Sequence, residues 1–298
     1  MTLNFNELSE LIKGKSKKRI VVAAAEDLAV LKAIKEAAIH QIVTPIFVGD
    51  LVQIRKICLD INFDIQDFEC ISQTNPSLSS VLAVQYVKNG KADILMKGLV
   101  STASLLKAVL DKETGIKETP LLSHVAVFQS PYYPKFLGIT DAAMNISPSV
   151  DEKITIIENA VNVFHKLGIQ CPKVAVVCPL ETVNQKIEST VHASTLTAMN
   201  NSGQIKNCII DGPLALDNAV SKEAAEHKGI QSEVAGDADI ILTNDLDAGN
   251  ILYKSLIFLG GAKSAAIICG AKVPIVLTSR ADSEESKFYS IVLAALMC

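Results

Sequence analysis

Short apolar, β-branched runs alternate with helical segments along almost the whole chain. The pattern predicts strands at 19–25 and 44–48, with a helix at 28–39 between them. Further strands are predicted at 94–96, 125–128, 174–177, 208–210, 240–243, 266–268 and 274–277. Because such alternation is typical of strands joined by crossover helices, it predicts an α/β fold with mostly parallel sheets and helices on both faces.

The clearest amphipathic helix is predicted at 151–167, and Gly168 ends it. Its apolar positions share one face of the helix, namely Ile154, Ile157, Val161 and Phe164. A polar, proline-containing stretch at 141–149 precedes this helix. A domain boundary is therefore predicted near residue 140.

Length and charge limit the class of protein. The chain has 298 residues, enough for a large core and for two domains. Its net charge is −4, whereas a nucleic-acid-binding protein is typically basic. No apolar run at the amino end resembles a signal peptide and no stretch approaches a ~20-residue membrane span, so we expect a cytoplasmic protein. Seven cysteines without C-x-x-C spacing indicate neither a zinc site nor a disulfide framework.

Familiar catalytic motifs are absent from the sequence. It has no G-x-x-x-x-G-K-[ST], no G-x-G-x-x-G after a strand, no H-E-x-x-H and no G-x-S-x-G. Polar residues instead gather where predicted strands begin or end, and strand ends are where parallel α/β folds bind ligands. The candidates at these places are Lys97, Gly98, Ser101, Ser123, Thr140, Asn145, Asp211, Asp245, Asn250, Ser279 and Arg280.

Several of these residues have a plainer alternative role. Asp211 precedes Gly-Pro and could form only an Asx turn, while Asp245 or Asp247 could cap the next helix. Lys97 could be an exposed charge. Arg280 could be a solvated loop charge, but the chain has only three arginines, and a guanidinium binds phosphate or carboxylate through two parallel hydrogen bonds.

Segments spread over most of the chain resemble the phosphate acetyltransferase and phosphate butyryltransferase family. In the order expected for that family, they are residues 92–101, 141–145, 237–254 and 274–280. The sequence Met-Lys-Gly-Leu-Val at 96–100 and the apolar segment at 122–128 are more similar to the butyryltransferase branch than to the acetyltransferase one.

This resemblance implies reversible transfer of a short-chain acyl group between coenzyme A and inorganic phosphate. Butyryl is the acyl group expected before any other. The resemblance implies a two-domain α/β/α fold like that of isocitrate dehydrogenases, with residues 1–139 and 277–298 in the first domain and 140–276 in the second. The site would lie in the cleft between the domains, and a homodimer or higher homo-oligomer is expected. Acyl-coenzyme A and phosphate are the expected partners, as substrates; no metal, cofactor, nucleic acid or membrane is implied.

The resemblance also assigns catalytic roles. Ser279 and Arg280 match the family's motif, so Arg280 is assigned to the phosphoryl oxygens and Ser279 to the developing oxyanion or to phosphate. The base proposed for the acetyltransferases is an aspartate seven residues beyond the motif serine, where this chain has Ser286, which is no base at neutral pH. Asp282 or Glu285 could replace it, although Asp282-x-x-Glu285 also has the form of a capping box.

Arginine is a second departure from the family. The acetyltransferases use additional arginines in the cleft, and this chain has none between Arg55 and Arg280; Lys97 could supply one such charge. Two rival functions remain open: an NAD-dependent dehydrogenase of the same fold, which would need metal-binding aspartates and several arginines, and a non-catalytic module that binds acyl-coenzyme A.

Overall fold

The computed structural model of this chain describes residues 4–12, 15–278 and 282–298. The first half of the chain forms α1 (Phe5–Ile12), β1 (Lys18–Ala23), α2 (Leu28–Ile39), β2 (Val43–Gly49), α3 (Leu51–Asp60), β3 (Glu69–Ser72), α4 (Pro76–Lys88), β4 (Ile94–Lys97), α5 (Thr102–Val109), β5 (Ser123–Gln129) and β6 (Leu137–Thr140). The second half forms α6 (Val150–Lys166), β7 (Lys173–Val177), α7 (Glu188–Asn201), β8 (Ile209–Leu214), α8 (Leu216–Val220), α9 (Lys222–His227), β9 (Ile240–Leu242), α10 (Leu246–Phe258), β10 (Lys263–Cys269), β11 (Ile275–Val276) and α11 (Glu284–Met297).

These elements form two compact units. The first unit consists of Phe5–Pro120 and Ala265–Cys298, and its strands lie in the order β3-β2-β1-β4-β11-β10. The second unit consists of Leu121–Ser264, with the order β5-β6-β9-β7-β8. The pairs β10–β11 and β5–β6 are antiparallel, whereas the other registered pairs are parallel. The predicted α/β class with mostly parallel sheets is confirmed.

The limits of the units differ from those of the predicted domains, which change at 139/140 and 276/277. Strand β5 pairs with β6, and β6 pairs with β9, so residues 123–140 belong to the second unit. Strand β11 pairs with both β4 and β10, which places residues 265–276 in the first unit. The segments on both sides of Leu121–Ser264 therefore share one unit.

The core of the first unit is built on its central strand. Strand β1 lies between β2 and β4, and residues Ile20 to Ala23 have no exposed surface. A strand covered on both faces is apolar throughout rather than alternating, which explains the strength of its sequence signal. Helix α11, buried over most of its length, packs against α1 and α2. Nowhere in the described ranges does a helix have the length and hydropathy needed to cross a bilayer.

Helix α6 forms where an amphipathic helix was predicted. Ser149 and Glu152 close a capping box at its start, because each side chain accepts a hydrogen bond from the other's backbone N–H. The buried stripe differs from the predicted one at its first position: Lys153 is buried and Ile154 only half-buried. A lysine thus occupies a core position of α6.

Candidate functional site

The turn from β4 to α5 carries three predicted residues of the first unit. Lys97 ends β4 and is only 8% exposed; its Nζ donates to the carbonyl oxygens of Gly98 and Val100, each at 3.2 Å. The alternative that Lys97 is an exposed charge is therefore wrong. A Cβ on Gly98 would lie 2.1 Å from the carbonyl oxygen of Ala24, so only glycine fits this close approach of β4 and β1. Ser101 caps α5 by accepting from the Ser104 N–H at 3.1 Å.

The start of α11 follows the segment that carries the predicted Ser279 and Arg280, and both of these residues lie outside the described ranges. The helix begins after Ser283, whose hydroxyl accepts from the Ser286 N–H at 3.0 Å. The capping-box interpretation of Asp282 with Glu285 is therefore wrong, because the cap lies one residue later. Ser286, which stands where the acetyltransferases have their proposed catalytic aspartate, is thus part of the N-terminal cap of α11.

The two candidate bases have different surroundings. The carbonyl oxygen of Asp282 accepts from the Nζ of buried Lys287 at 2.7 Å, which anchors the chain just before α11. Glu285 Oε1 lies 3.2 Å from the Tyr289 hydroxyl, which also lies 3.1 Å from Asn6 Oδ1 on α1. The Glu285 carboxylate thus takes part in the packing of α1 against α11.

In the second unit the loop after β6 is organised by one buried carboxylate. Asp141 accepts from the backbone N–H groups of His124, Ala143 and Met144 and, at 2.6 Å, from the Asn145 side chain. Asn145 also donates to the Leu122 carbonyl oxygen at 3.0 Å. Two predicted residues, Thr140 and Asn145, thus meet at this loop, because Thr140 donates to the carbonyl oxygen of His124 at 2.8 Å.

Helix α10 packs closely on this loop. Asn250 donates to the Ala142 carbonyl oxygen at 3.2 Å, and Thr243 Oγ1 donates to that of Asp141 at 3.1 Å. A Cβ on Gly249 would lie 2.1 Å from the same Asp141 oxygen. The predicted Asn250 therefore joins Thr140 and Asn145 in one arrangement that fixes the loop.

The remaining predicted residues of this unit lie in other places. Ser123 is buried at the start of β5, and its Oγ accepts from Asn159 Nδ2 on α6 at 2.9 Å. Asp211 lies inside strand β8 rather than after it, and its Oδ1 accepts from the N–H of Gly212 at 2.8 Å. Asp245 is the N-cap of α10, since it accepts from the Ala248 N–H at 2.8 Å, which confirms the capping alternative.

A polar cluster that the sequence analysis missed lies close to Asp245. Buried Lys153 on α6 donates to His192 Nδ1 on α7 at 3.0 Å and to Asn244 Oδ1 after β9 at 2.8 Å. Burial lowers the pKa of Lys153 against the opposing influence of Cys178, Glu188 and Asp245. Burial and the Lys153 charge also lower the pKa of His192, which favours the neutral, accepting imidazole. The lysine on the apolar stripe of α6 was the signal that could have revealed this cluster.

A cavity of about 600 Å³ opens beside this cluster, at the ends of β7 and β9. Apolar residues form most of its wall, and polar residues form the rest; the lining includes Val177, Cys178, Pro179, Ser189, Leu216, Thr243, Asn244, Asp245, Ala248, Ile251, Leu252 and Ser255. Burial raises the pKa of the Cys178 thiol despite a hydrogen bond with Ser189. A small ligand with an apolar part and a polar head fits such a lining.

A second cavity of about 580 Å³ lies in the first unit and contains no predicted residue. Its walls come from α3, the following loop and β3, and include Arg55, Phe63, Phe68 and Cys70. In the described part of the chain, no three His, Cys, Asp or Glu side chains are grouped so that they could hold a metal ion.

Comparison with known proteins supplies the context for these residues. A family model described as Phosphate acetyl/butaryl transferase matches residues 4–78 and 69–295. The phosphate butyryltransferase of Clostridium acetobutylicum is 46% identical over 297 residues, which cover 100% of this chain and 99% of that protein. The phosphate acetyltransferase of Thermotoga maritima is also 46% identical, over 97% of this chain and 98% of its own.

A solved structure agrees with the sequence comparisons. The crystal structure of a branched-chain phosphotransacylase from Enterococcus faecalis V583 superposes with a TM-score of 0.82 at 38% identity. The match covers 94% of this chain and 98% of that one.

Proposed function

This chain belongs to the phosphate acetyltransferase and phosphate butyryltransferase family, and we propose that it transfers a short-chain acyl group between coenzyme A and inorganic phosphate. Butyryl is the first candidate for this acyl group. The observation that carries the proposal is the 46% identity to a phosphate butyryltransferase over the full length of both chains. The acetyl group is the second candidate, because a phosphate acetyltransferase is as similar over nearly the same length.

The reaction requires no redox change. A phosphate oxygen attacks the thioester carbonyl carbon, a C–O bond forms, and the C–S bond breaks as the coenzyme A thiolate leaves. In reverse, the thiolate attacks the acyl phosphate and phosphate leaves. The enzyme must hold an anionic phosphate against the carbonyl and stabilise the oxyanion that develops on the carbonyl oxygen.

The proposed catalytic roles rest on the family resemblance and on the chemistry of each side chain. Arg280 binds phosphate through its two-pronged guanidinium, and Ser279 donates to the oxyanion or to phosphate. Lys97 supplies positive charge at the end of β4, where its Nζ is already oriented by two carbonyl oxygens. Asp282 and Glu285 remain the two candidate bases for the thiol, and the Glu285 carboxylate contacts the Tyr289 hydroxyl.

The other predicted strand-end residues are proposed to act by holding their loops in the substrate-binding conformation. Gly98 and Ser101 shape the β4–α5 turn, whereas Thr140, Asn145 and Asn250 fix the loop after β6. Ser123 and Asp245 hold the starts of β5 and α10, and Asp211 holds the backbone inside β8. We further propose that the protein acts in the cytoplasm as a homodimer or higher homo-oligomer, without a metal or a bound cofactor.

The decisive experiment measures thiol release from butyryl-coenzyme A with and without inorganic phosphate. We expect release that depends on phosphate, together with formation of butyryl phosphate. Arg280→Lys keeps the positive charge but loses the planar guanidinium that can form two parallel hydrogen bonds to phosphate, so turnover should fall on the order of 10²-fold.

Two other results would contradict these proposals. Thiol release that is the same without phosphate would contradict the transferase proposal. Near-wild-type kinetics of Arg280→Lys over a range of phosphate concentrations would remove this residue from the phosphate site.

A further inference from the structure

The cavity at the ends of β7 and β9 has the position and the composition of a ligand pocket within the second unit. Strands β7 and β9 are parallel neighbours, so their carboxyl ends lie on the same edge of the sheet. The residues that directly follow them, Cys178 after β7 and Thr243 after β9, line the cavity. Ligands of open α/β sheets bind at this edge.

We infer that this cavity receives the acyl chain of the thioester substrate and that Ile251 and Leu216 limit the length of the chain. The inference rests on the proposed acyl transfer and assigns the acyl-binding part of that site. A volume of about 600 Å³ exceeds what a four-carbon chain fills, so the cavity also has room for the adjoining end of the carrier arm.

One face of α10 forms part of the cavity wall. Ala248, Ile251, Leu252 and Ser255 are spaced three and four residues apart, so their side chains lie above one another on the helix. Ile251 is 67% exposed and Leu216 is 38% exposed. A bound hydrocarbon chain would remove this apolar surface from water, which favours the acyl part of the substrate over its polar parts.

The polar side of the cavity suits a carbonyl group. Asn244 accepts from Lys153 through Oδ1, which fixes the orientation of its amide, and its Nδ2 donates to Asp245 Oδ2 at 3.2 Å. An amide nitrogen carries two N–H groups, and the second one suits the carbonyl oxygen of the thioester or of an amide in the carrier arm. The Lys153 charge behind Asn244 strengthens this donor.

The second large cavity is a weaker candidate for the same role. Its walls come from α3 and from the segment leading into β3, so it does not lie where adjacent parallel strands end. Its lining also contains Arg55, Asp64 and two side-chain amides, which bind a hydrocarbon chain less well than the α10 face does.

Three variants of α10 test the assignment. Ala248→Leu adds volume inside the cavity, whereas Ile251→Ala removes part of the wall. Phe258→Ala is the matched control, because Phe258 is 66% exposed on the same helix but does not line the cavity. The assay measures kcat/KM for acetyl-, butyryl- and hexanoyl-coenzyme A with saturating phosphate.

The expected changes are in ratios between substrates. Because one methylene in a hydrophobic pocket changes kcat/KM by roughly 10-fold or more, Ala248→Leu should lower the butyryl-to-acetyl ratio about 10-fold. Ile251→Ala should raise the hexanoyl-to-butyryl ratio several-fold, because removing part of the wall makes room for the longer chain. Phe258→Ala should leave both ratios within twofold of the wild type.

Failure of this inference can be told from failure of the proposed function. If the wild type releases thiol only with phosphate but all three variants keep its substrate ratios, the cavity does not hold the acyl chain. If the wild type transfers no acyl group to phosphate, the transferase proposal itself is overturned. Since Ile251 is mostly exposed, Ile251→Ala keeps the test informative even where Ala248→Leu destabilises the fold.

Discussion

Gly249→Ala tests whether the close packing of α10 on the loop after β6 is required. The added Cβ would lie 2.1 Å from the carbonyl oxygen of Asp141 and 2.8 Å from Thr243 Oγ1. A backbone oxygen cannot rotate away as the end of a side chain can, so either the helix or the loop must move. The movement would strain the hydrogen bond from Asn250 to the Ala142 carbonyl oxygen and the one from Thr243 to Asp141.

The expected free-energy change combines opposing effects. In an unconstrained helix interior, glycine to alanine stabilises by about 1 kcal/mol. Overpacking of a well-packed position costs typically ~1–3 kcal/mol. Each weakened hydrogen bond costs a further ~0.5–1.5 kcal/mol. The steric and hydrogen-bond losses exceed the helix gain, so we expect a net destabilisation of about 3 kcal/mol, the middle of the ~1–5 kcal/mol that these figures span, which corresponds to a fall in melting temperature of roughly 6–12 °C.

Thermal unfolding followed by circular dichroism measures this change, and thiol release from butyryl-coenzyme A measures the effect on activity. Gly90→Ala is the control, because Gly90 has φ +68° but no atom within 4 Å of an added Cβ. It should cost only the ~1–2 kcal/mol of a left-handed alanine and leave kcat/KM unchanged. A Gly249→Ala protein that melts at or above the wild-type temperature with full activity would refute the packing argument.

Buried ionisable side chains give two further predictions. Lys153→Met removes an ammonium whose pKa is lowered by burial, so the unfolded chain holds this proton more tightly than the native one. The free energy of unfolding of the wild type, relative to that of the variant, should therefore rise as pH increases from 7 toward ~10. Urea unfolding at each pH measures this difference. A constant difference across this range would mean that Lys153 is not desolvated. Burial raises the pKa of Cys58 and of Cys208 to about 11, so iodoacetamide at pH 8 should label exposed Cys171 well before either of them, as read by mass spectrometry.

Much of the fold could be predicted because its central strands are buried on both faces. Such strands appear in the sequence as short apolar runs, and β1 and β4 were found in this way. Strands β3 and β6 were missed for different reasons. Strand β3 lies at the edge of its sheet and has no buried residue, so it has no apolar run. Strand β6 is buried but has only four residues and follows a loop rich in proline and tyrosine.

The candidate site could be predicted only as far as strand ends reveal it. Thr140, Asn145 and Asn250 were identified because polar residues after apolar runs are visible in a sequence, and the structure brings them together around one loop. The contact of Lys153 with His192 joins residues that are 39 positions apart, on two different helices. No periodic pattern links such positions, so a tertiary contact of this kind becomes visible only once the helices are packed.

The hydrogen bonds that a polar side chain already makes within the protein determine how many remain for a substrate. A carboxylate has about four acceptor sites, and Asp141 uses them on three backbone N–H groups and the Asn145 amide. It therefore has little capacity left for a substrate, and its hydrogen bonds fix the shape of the loop on which α10 rests. Asn244 differs, because Lys153 occupies its oxygen and leaves the donor side of the amide at the cavity wall. Among the polar residues of this unit, substrate recognition is thus best sought at oriented donors such as Asn244 rather than at the buried carboxylate.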